Sequence, residues 1–182
     1  MGRFEIVFSG FGGQGIVLAG LIIGKAAAIF DGKEAVFTQS YGPEARGGAS
    51  SSSVVVDEER VDYPYAENPD LLVVMSQEAY NKRIGMLKPG GTLVYDSDLV
   101  KIDERARKAS EIYGIPATRI AEEKLGKRIV ANIVILGFLA RICKVISKES
   151  LKKAVLDTVP RKFREVNEKA FELGYSYLDW RE

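Results

Sequence analysis

The stretch Ser9–Gly15, SGFGGQG, lies between the β-branched and aromatic run RFEIVF and the long apolar run IVLAGLIIGKAAAIF. Four of the six residues from Gly10 to Gly15 are glycine. A strand-like run that becomes a helix-like run across so tight a turn restricts the chain to a small set of α/β arrangements. Gly10, Gly12 and Gly15 match G-x-G-x-x-G, and Gly13 adds a further glycine beside the helix start. Glycines allow the tight turn and a close backbone approach, and the free N–H groups of the helix start favour an anion. The same pattern also fits a tight turn that holds nothing, so both readings stay open at this point.

A dinucleotide site needs an acidic residue about 20 residues further on, at the end of the second strand. The second strand is expected over Glu34–Thr38, and the residues at its end are Thr38, Gln39 and Ser40, with Glu44 deeper in the following loop. This counts against a conventional NAD site. The loop QSYGPEARGG, Gln39–Gly48, is stiffened by Pro43 and loosened by its glycines. Its Arg46 has the planar fork that suits a phosphate or carboxylate, with a plain salt bridge to Glu44 or to a partner chain as the equal alternative.

The rest of the chain alternates strands with helices. Ser50–Val56 and Arg60–Tyr63 are expected to pair as a hairpin, and DLLVVMS, Asp70–Ser76, has the continuous apolar pattern of a strand buried on both faces. Further strands are expected at Thr92–Asp96 and Glu111–Ile115, and helices at Gln14–Phe30, Gln77–Met86, Ile102–Ser110, Ala117–Leu125 and Arg128–Ile146. Ser147 suits the N-cap of a helix over Ser147–Thr158, and Gly174 suits the C′ position of a last helix over Arg161–Leu173. Gly20 and Gly24 lie four apart on one face of the first helix and imply close packing. The pattern predicts an α/β fold: a three-layer α/β/α sandwich with a mostly parallel, Rossmann-like sheet and a helical C-terminal third, in a single domain over residues 1–182.

Composition excludes several kinds of chemistry. Lys and Arg number 26 and Asp and Glu 25, a net charge of +1. Nucleic-acid binding needs a basic surplus and is not expected. The chain has one cysteine, Cys143, and no histidine. It therefore cannot ligate an iron–sulfur cluster alone, which takes about four cysteines, and it offers no imidazole base or His-held metal. Cys143 on its apolar helix reads as inert core, Asn132 as a buried hydrogen-bonding group, and Asp96 and Asp98 as caps or solvated groups. The run Ile16–Phe30 is too short for a membrane span and is broken by Lys25. No signal-peptide pattern is present, and a cytoplasmic location is expected.

Three stretches taken together, GFGGQGIVLAG, TQSYGPEARGGASSSSVVV and DLLVVMSQEAY followed by LKPGGTLVYDSDLV, resemble the gamma subunit of the 2-oxoacid:ferredoxin oxidoreductases, most closely the 2-oxoglutarate member. VANIVILGFLA and the C-terminal ISKESLKKAVLDTVPRKFREVNEKAFELGY are similar to that subunit's tail. The resemblance implies a complex that oxidatively decarboxylates a 2-oxoacid, passes electrons to ferredoxin and transfers the acyl group to coenzyme A. It places thiamine diphosphate and the iron–sulfur clusters on partner chains. Those partners are the alpha and beta subunits, with a delta subunit as a further candidate. The isolated chain is then expected to be inactive, with no catalytic residue of its own. The resemblance also makes coenzyme A the candidate anion, with Gly10, Gly12, Gly13, Gln14, Gly15 and Arg46 as the binding residues. Two rival readings are a stand-alone nucleotide-binding dehydrogenase and a structural assembly subunit with no ligand.

Overall fold

The computed structural model describes residues 2–42 and 48–177. Arg46 lies outside the described residues. Six strands form one sheet: β1 (Phe4–Phe11), β2 (Glu34–Tyr41), β3 (Ala49–Asp57), β4 (Leu71–Val74), β5 (Thr92–Asp96) and β6 (Glu111–Ile115), in the order β2-β3-β1-β4-β5-β6. The pairs β1–β4, β4–β5 and β5–β6 are parallel, and β3 runs antiparallel to both neighbours. The sheet is thus mixed, with β3 alone reversed.

The expected hairpin of Ser50–Val56 with Arg60–Tyr63 does not form. Along its whole length β3 pairs with β2 on one side and β1 on the other, and residues 60–63 form no strand. Val54 opposite both Ile6 and Phe37 explains the choice, because this register places their side chains on the face packed beneath the first helix.

Helices cover the sheet unequally. On the first face lie α1 (Ile16–Lys25), α3 (Ala117–Leu125), α4 (Ala131–Ile142), α5 (Lys148–Thr158) and α6 (Arg164–Ser176), over a core that includes Ile6, Phe8, Val54, Val73 and Phe138. The second face carries α2 (Gln77–Arg83) and two short 3-10 turns, over Val7, Leu72, Val74 and Leu93. β4 is buried throughout because it contributes to both cores. Among the described residues no helix is long and apolar enough to cross a membrane.

Several expected termini are corrected. The first helix is α-helical only to Lys25 and continues as one π-helical segment, Ala26–Phe30. The long apolar helix starts at Ala131 after a 3-10 turn and stops at Ile142, where Cys143 turns extended. Ser147 caps α5 as expected, its hydroxyl accepting from Ser150 N–H at 3.2 Å. Gly174 is not a C′ residue. It lies inside α6, and a Cβ there would overlap the backbone carbonyl of Val134, just as one on Gly137 would overlap that of Phe171. The two glycines let α4 and α6 touch backbone to backbone, the close approach that a missing side chain permits.

Candidate functional site

β1 leads into α1 on one face, whereas the adjacent parallel strand β4 leads into α2 on the other. In open α/β sheets ligands bind outside the carboxyl ends of strands at such a divergence. Here that place is formed by Ser9–Gly15 and by Met75–Gln77.

The glycine turn is held by its own glutamine. The side-chain oxygen of Gln14 accepts from Phe11 N–H at 2.6 Å, and its Nε2 donates to the Met75 carbonyl at 2.7 Å. This ties the turn to the end of β4 and occupies both ends of the amide. Gly10 is a ladder residue opposite Ser50, and a Cβ on it would crowd Gln14 and Ile16. Gly12 N–H donates to the Gly48 carbonyl at 2.9 Å. Gly15 precedes α1 in the left-handed region, φ 72°, with the buried Asn132 donating to its carbonyl at 3.1 Å. Asn132 is thus the buried hydrogen-bonding group expected.

Gly13 differs from these. Its φ is 95°, it is exposed, and a Cβ built on it meets no atom within 4 Å. The N–H groups of Gly13 and Gly15 have no partner among the described residues.

Gly12, Gly13 and Gln14 form one wall of a cleft of about 390 Å³, lined across from them by Met75, Thr118, Arg128, Ile129 and Ala131. Gln14 lies just before α1, Thr118 is in the first turn of α3, and Ala131 begins α4, so three helix starts border one cleft. Helix starts carry partial positive charge. Arg128 adds a full charge: it is exposed, without a carboxylate partner among the described residues. Ile129 beside it is 70% exposed. The cleft is therefore cationic with an apolar lip, which suits an anion joined to an apolar group.

The carboxylate bonded to the cleft-lining Thr118 is turned to structure. Asp96 is fully buried and caps α3, accepting from Thr118 N–H at 2.9 Å, Thr118 Oγ1 at 2.6 Å and Asp98 N–H at 3.2 Å. Burial pushes its carboxyl above the usual range, and the Thr118 and Asp98 donors oppose that only in part. Cys143 is at the other end of the sheet, beside the first residues of β1, β4, β5 and β6. Burial pushes its thiol up, against the pull of the Val145 and Ile146 N–H groups, so it is a poor nucleophile.

Of the sequence candidates, Gly12 and Gly13 face the cleft, Gln14 and Gly15 complete the turn, and Gly10 is part of the strand. The sequence reading missed Arg128. Its only local signal is the basic pair Lys127–Arg128 before an apolar helix, and nothing local places it opposite a turn at residue 13. β2 is at the sheet edge, and the parallel neighbour of β1 is β4, which is followed by Met75-Ser76-Gln77, with the first acid, Glu78, already inside α2.

The sequence model of the pyruvate ferredoxin/flavodoxin oxidoreductase family matches residues 5–177. The chain belongs to this family. Within it, the chain is similar to the 2-oxoglutarate synthase subunit KorC of Methanocaldococcus jannaschii, with 54% identity over 95% of this chain and 92% of that one. Its fold is similar to the gamma subunit of a keto/oxoacid ferredoxin oxidoreductase from Geobacter sulfurreducens PCA, with a TM-score of 0.85, 46% identity, and coverage of 96% of this chain and 95% of that one. It is also similar to a 2-oxoglutarate:ferredoxin oxidoreductase from Magnetococcus marinus, solved with 2-oxoglutarate, coenzyme A and succinyl-CoA bound. There the TM-score is 0.86 and the identity 28%, over 97% of this chain and 31% of that one. The expected α/β fold and the resemblance to the gamma subunits both hold.

Proposed function

We infer that this chain is the gamma-type subunit of a 2-oxoglutarate:ferredoxin oxidoreductase, and that its glycine turn and Arg128 hold phosphate groups of coenzyme A. The observation that carries the ligand reading is the open Gly13 facing, across one cleft, an Arg128 that has no carboxylate partner among the described residues, in a chain related along its length to a 2-oxoglutarate synthase subunit. A pyrophosphate fits N–H groups at a helix start, and a guanidinium binds phosphate through two parallel hydrogen bonds. The apolar lip at Ile129 suits the uncharged part of such a ligand. Bound coenzyme A supplies the thiol that accepts the acyl group. This chain's part is to bind and orient it, with thiamine diphosphate and the iron–sulfur clusters on partner subunits. A lone thiol is most at home in a reducing compartment, and the proposal places the complex in the cytoplasm.

The test is made on the assembled complex. Gly13→Asp sets a carboxylate where the phosphate is proposed to lie, and the coenzyme A requirement is expected to rise at least tenfold, about 1.4 kcal/mol. Arg128→Ala is expected to raise it several-fold, with the 2-oxoglutarate requirement nearly unchanged in both. An assembled Gly13→Asp complex with an unaltered coenzyme A dependence would show that the turn is structural and the subunit serves assembly alone.

A further inference from the structure

The helical segments packed on β2 and β3, α1 and the π-helical segment after it, all lie on the first face of the sheet. The second face of these two strands presents Thr38, Ser40, Ser51 and Ser53 as the floor of a groove of about 250 Å³. Tyr65, Ala66, Arg83 and Met86 form its walls. Arg3 fixes one wall by donating to the carbonyls of Tyr63 and Tyr65 at 2.6 and 2.7 Å. The Tyr63 and Tyr65 rings meet edge to face, and Tyr65 is 59% exposed.

Arg83 reaches the floor from the end of α2. It donates to Ser51 Oγ at 3.0 Å and to Met86 Sδ at 3.3 Å. No carboxylate among the described residues pairs with it, whereas Arg3, Arg105 and Arg119 each have one. An antiparallel sheet can leave one face to water. Such a face normally carries charged side chains. This chain is 28% charged, yet among the described residues the only charge lining the groove is Arg83. Tyr, Met and Arg with few other charges is the composition of an interface centre. The edge strand agrees: β2 has no charge or proline from Ala35 to Tyr41, and an unguarded edge of that kind needs cover.

We propose that this groove seats an extended segment of a partner subunit of the oxidoreductase, which places a carboxylate on Arg83. The inference rests on the reading of the chain as a subunit of that complex. A second copy of the chain is a poorer match, because the described residues that line this groove include no carboxylate that a two-fold mate could offer to Arg83.

The complex is purified through its other subunits, with a photo-crosslinking residue at Thr38 of this chain and, as a control, at Glu123 on α3. Thr38 is expected to crosslink to a partner-subunit peptide that contains Asp or Glu, and Glu123 is not. Arg83→Glu is expected to lower co-purification at least tenfold, while the isolated variant melts within a few degrees of the wild type. A Thr38 crosslink to a second copy, no crosslink within an assembled complex, or normal assembly of Arg83→Glu would each overturn the inference and leave the functional reading standing. If the wild-type chain co-purifies with no thiamine- or cluster-bearing partner, the functional reading fails and this inference with it.

Discussion

Asn132 of α4 donates to the carbonyl of Gly15, 3.1 Å away, and its amide stands where a Cβ on Gly15 would be. One contact therefore fixes the end of the glycine turn against a helix more than a hundred residues later in the chain. Gly15→Ala is expected to destabilise the isolated chain by at least about 2 kcal/mol, from a left-handed φ that a Cβ disfavours and from the overlap with Asn132. Asn132→Ala should cost about 1–2 kcal/mol. The Gly15 carbonyl keeps its bond from Ala19 N–H, so it is not left bare. Urea unfolding of both variants measures this, and a Gly15→Ala chain as stable as the wild type would refute it.

Gly20 and Gly24 occupy one face of α1 but are not equivalent. A Cβ on Gly20 would collide with Ser52, whose hydroxyl bonds the Ile16 carbonyl, whereas one on Gly24 would rest 3.6 Å from Phe37 Cβ. Gly24→Ala is expected to stabilise by about 0.5–1 kcal/mol through helix propensity. Gly20→Ala is expected to destabilise by about 1–3 kcal/mol through overpacking. Thermal melts of the two variants should move in opposite directions.

The α4–α6 crossing tolerates no side chain at its two glycines. Gly137→Ala and Gly174→Ala would each drive a Cβ into a backbone carbonyl, that of Phe171 or of Val134. No rotamer relieves such an overlap, so the helices must separate and the tight packing of the core is lost. Each variant is expected to lose more than about 3 kcal/mol. Near-UV circular dichroism and melting follow it, and a wild-type transition in either variant would count against this packing.

Asp31 couples the end of the first helix to the start of α5, accepting from Ser147 N–H and Oγ, both at 2.8 Å. Burial works against its ionisation, but donors from Ser150 and Ser147 and the charge of Lys33 outweigh it and hold the carboxyl below the usual range. The folded-state value is the lower one, so the ionised form favours the folded chain. That contribution is present in full above the ordinary Asp value near pH 3.9 and is lost as pH falls through the depressed one. Asp31→Asn is expected to cost about 1 kcal/mol at pH 7, less than a buried pair because the site is partly solvated. The gap between wild type and variant should close as pH drops below about 4. A gap that stays constant down to pH 2 would exclude the linkage.

Local chemistry alone determined much of this protein. The apolar run at Leu71–Val74 forces a strand buried on both faces, Ser147 stops one segment and starts α5, and the glycine cluster makes a strand–turn–helix. Each depends on neighbours within a few residues. The absence of histidine and the single cysteine likewise set the chemistry the chain cannot perform by itself. Tertiary structure decided the rest. β3 pairs with β1 rather than with the residues after it, because a strand's register is set by the core it must cover. Gly174 reads as a helix end, yet it is a contact point, since only the partner helix shows that a Cβ has no room. Arg128 and Gly13 share a cleft because α1, α3 and α4 all start at the same end of the sheet. Pattern within a segment records how that segment turns and which side it buries. It carries no record of which distant backbone will arrive beside it, and the candidate ligand cleft is built from such arrivals.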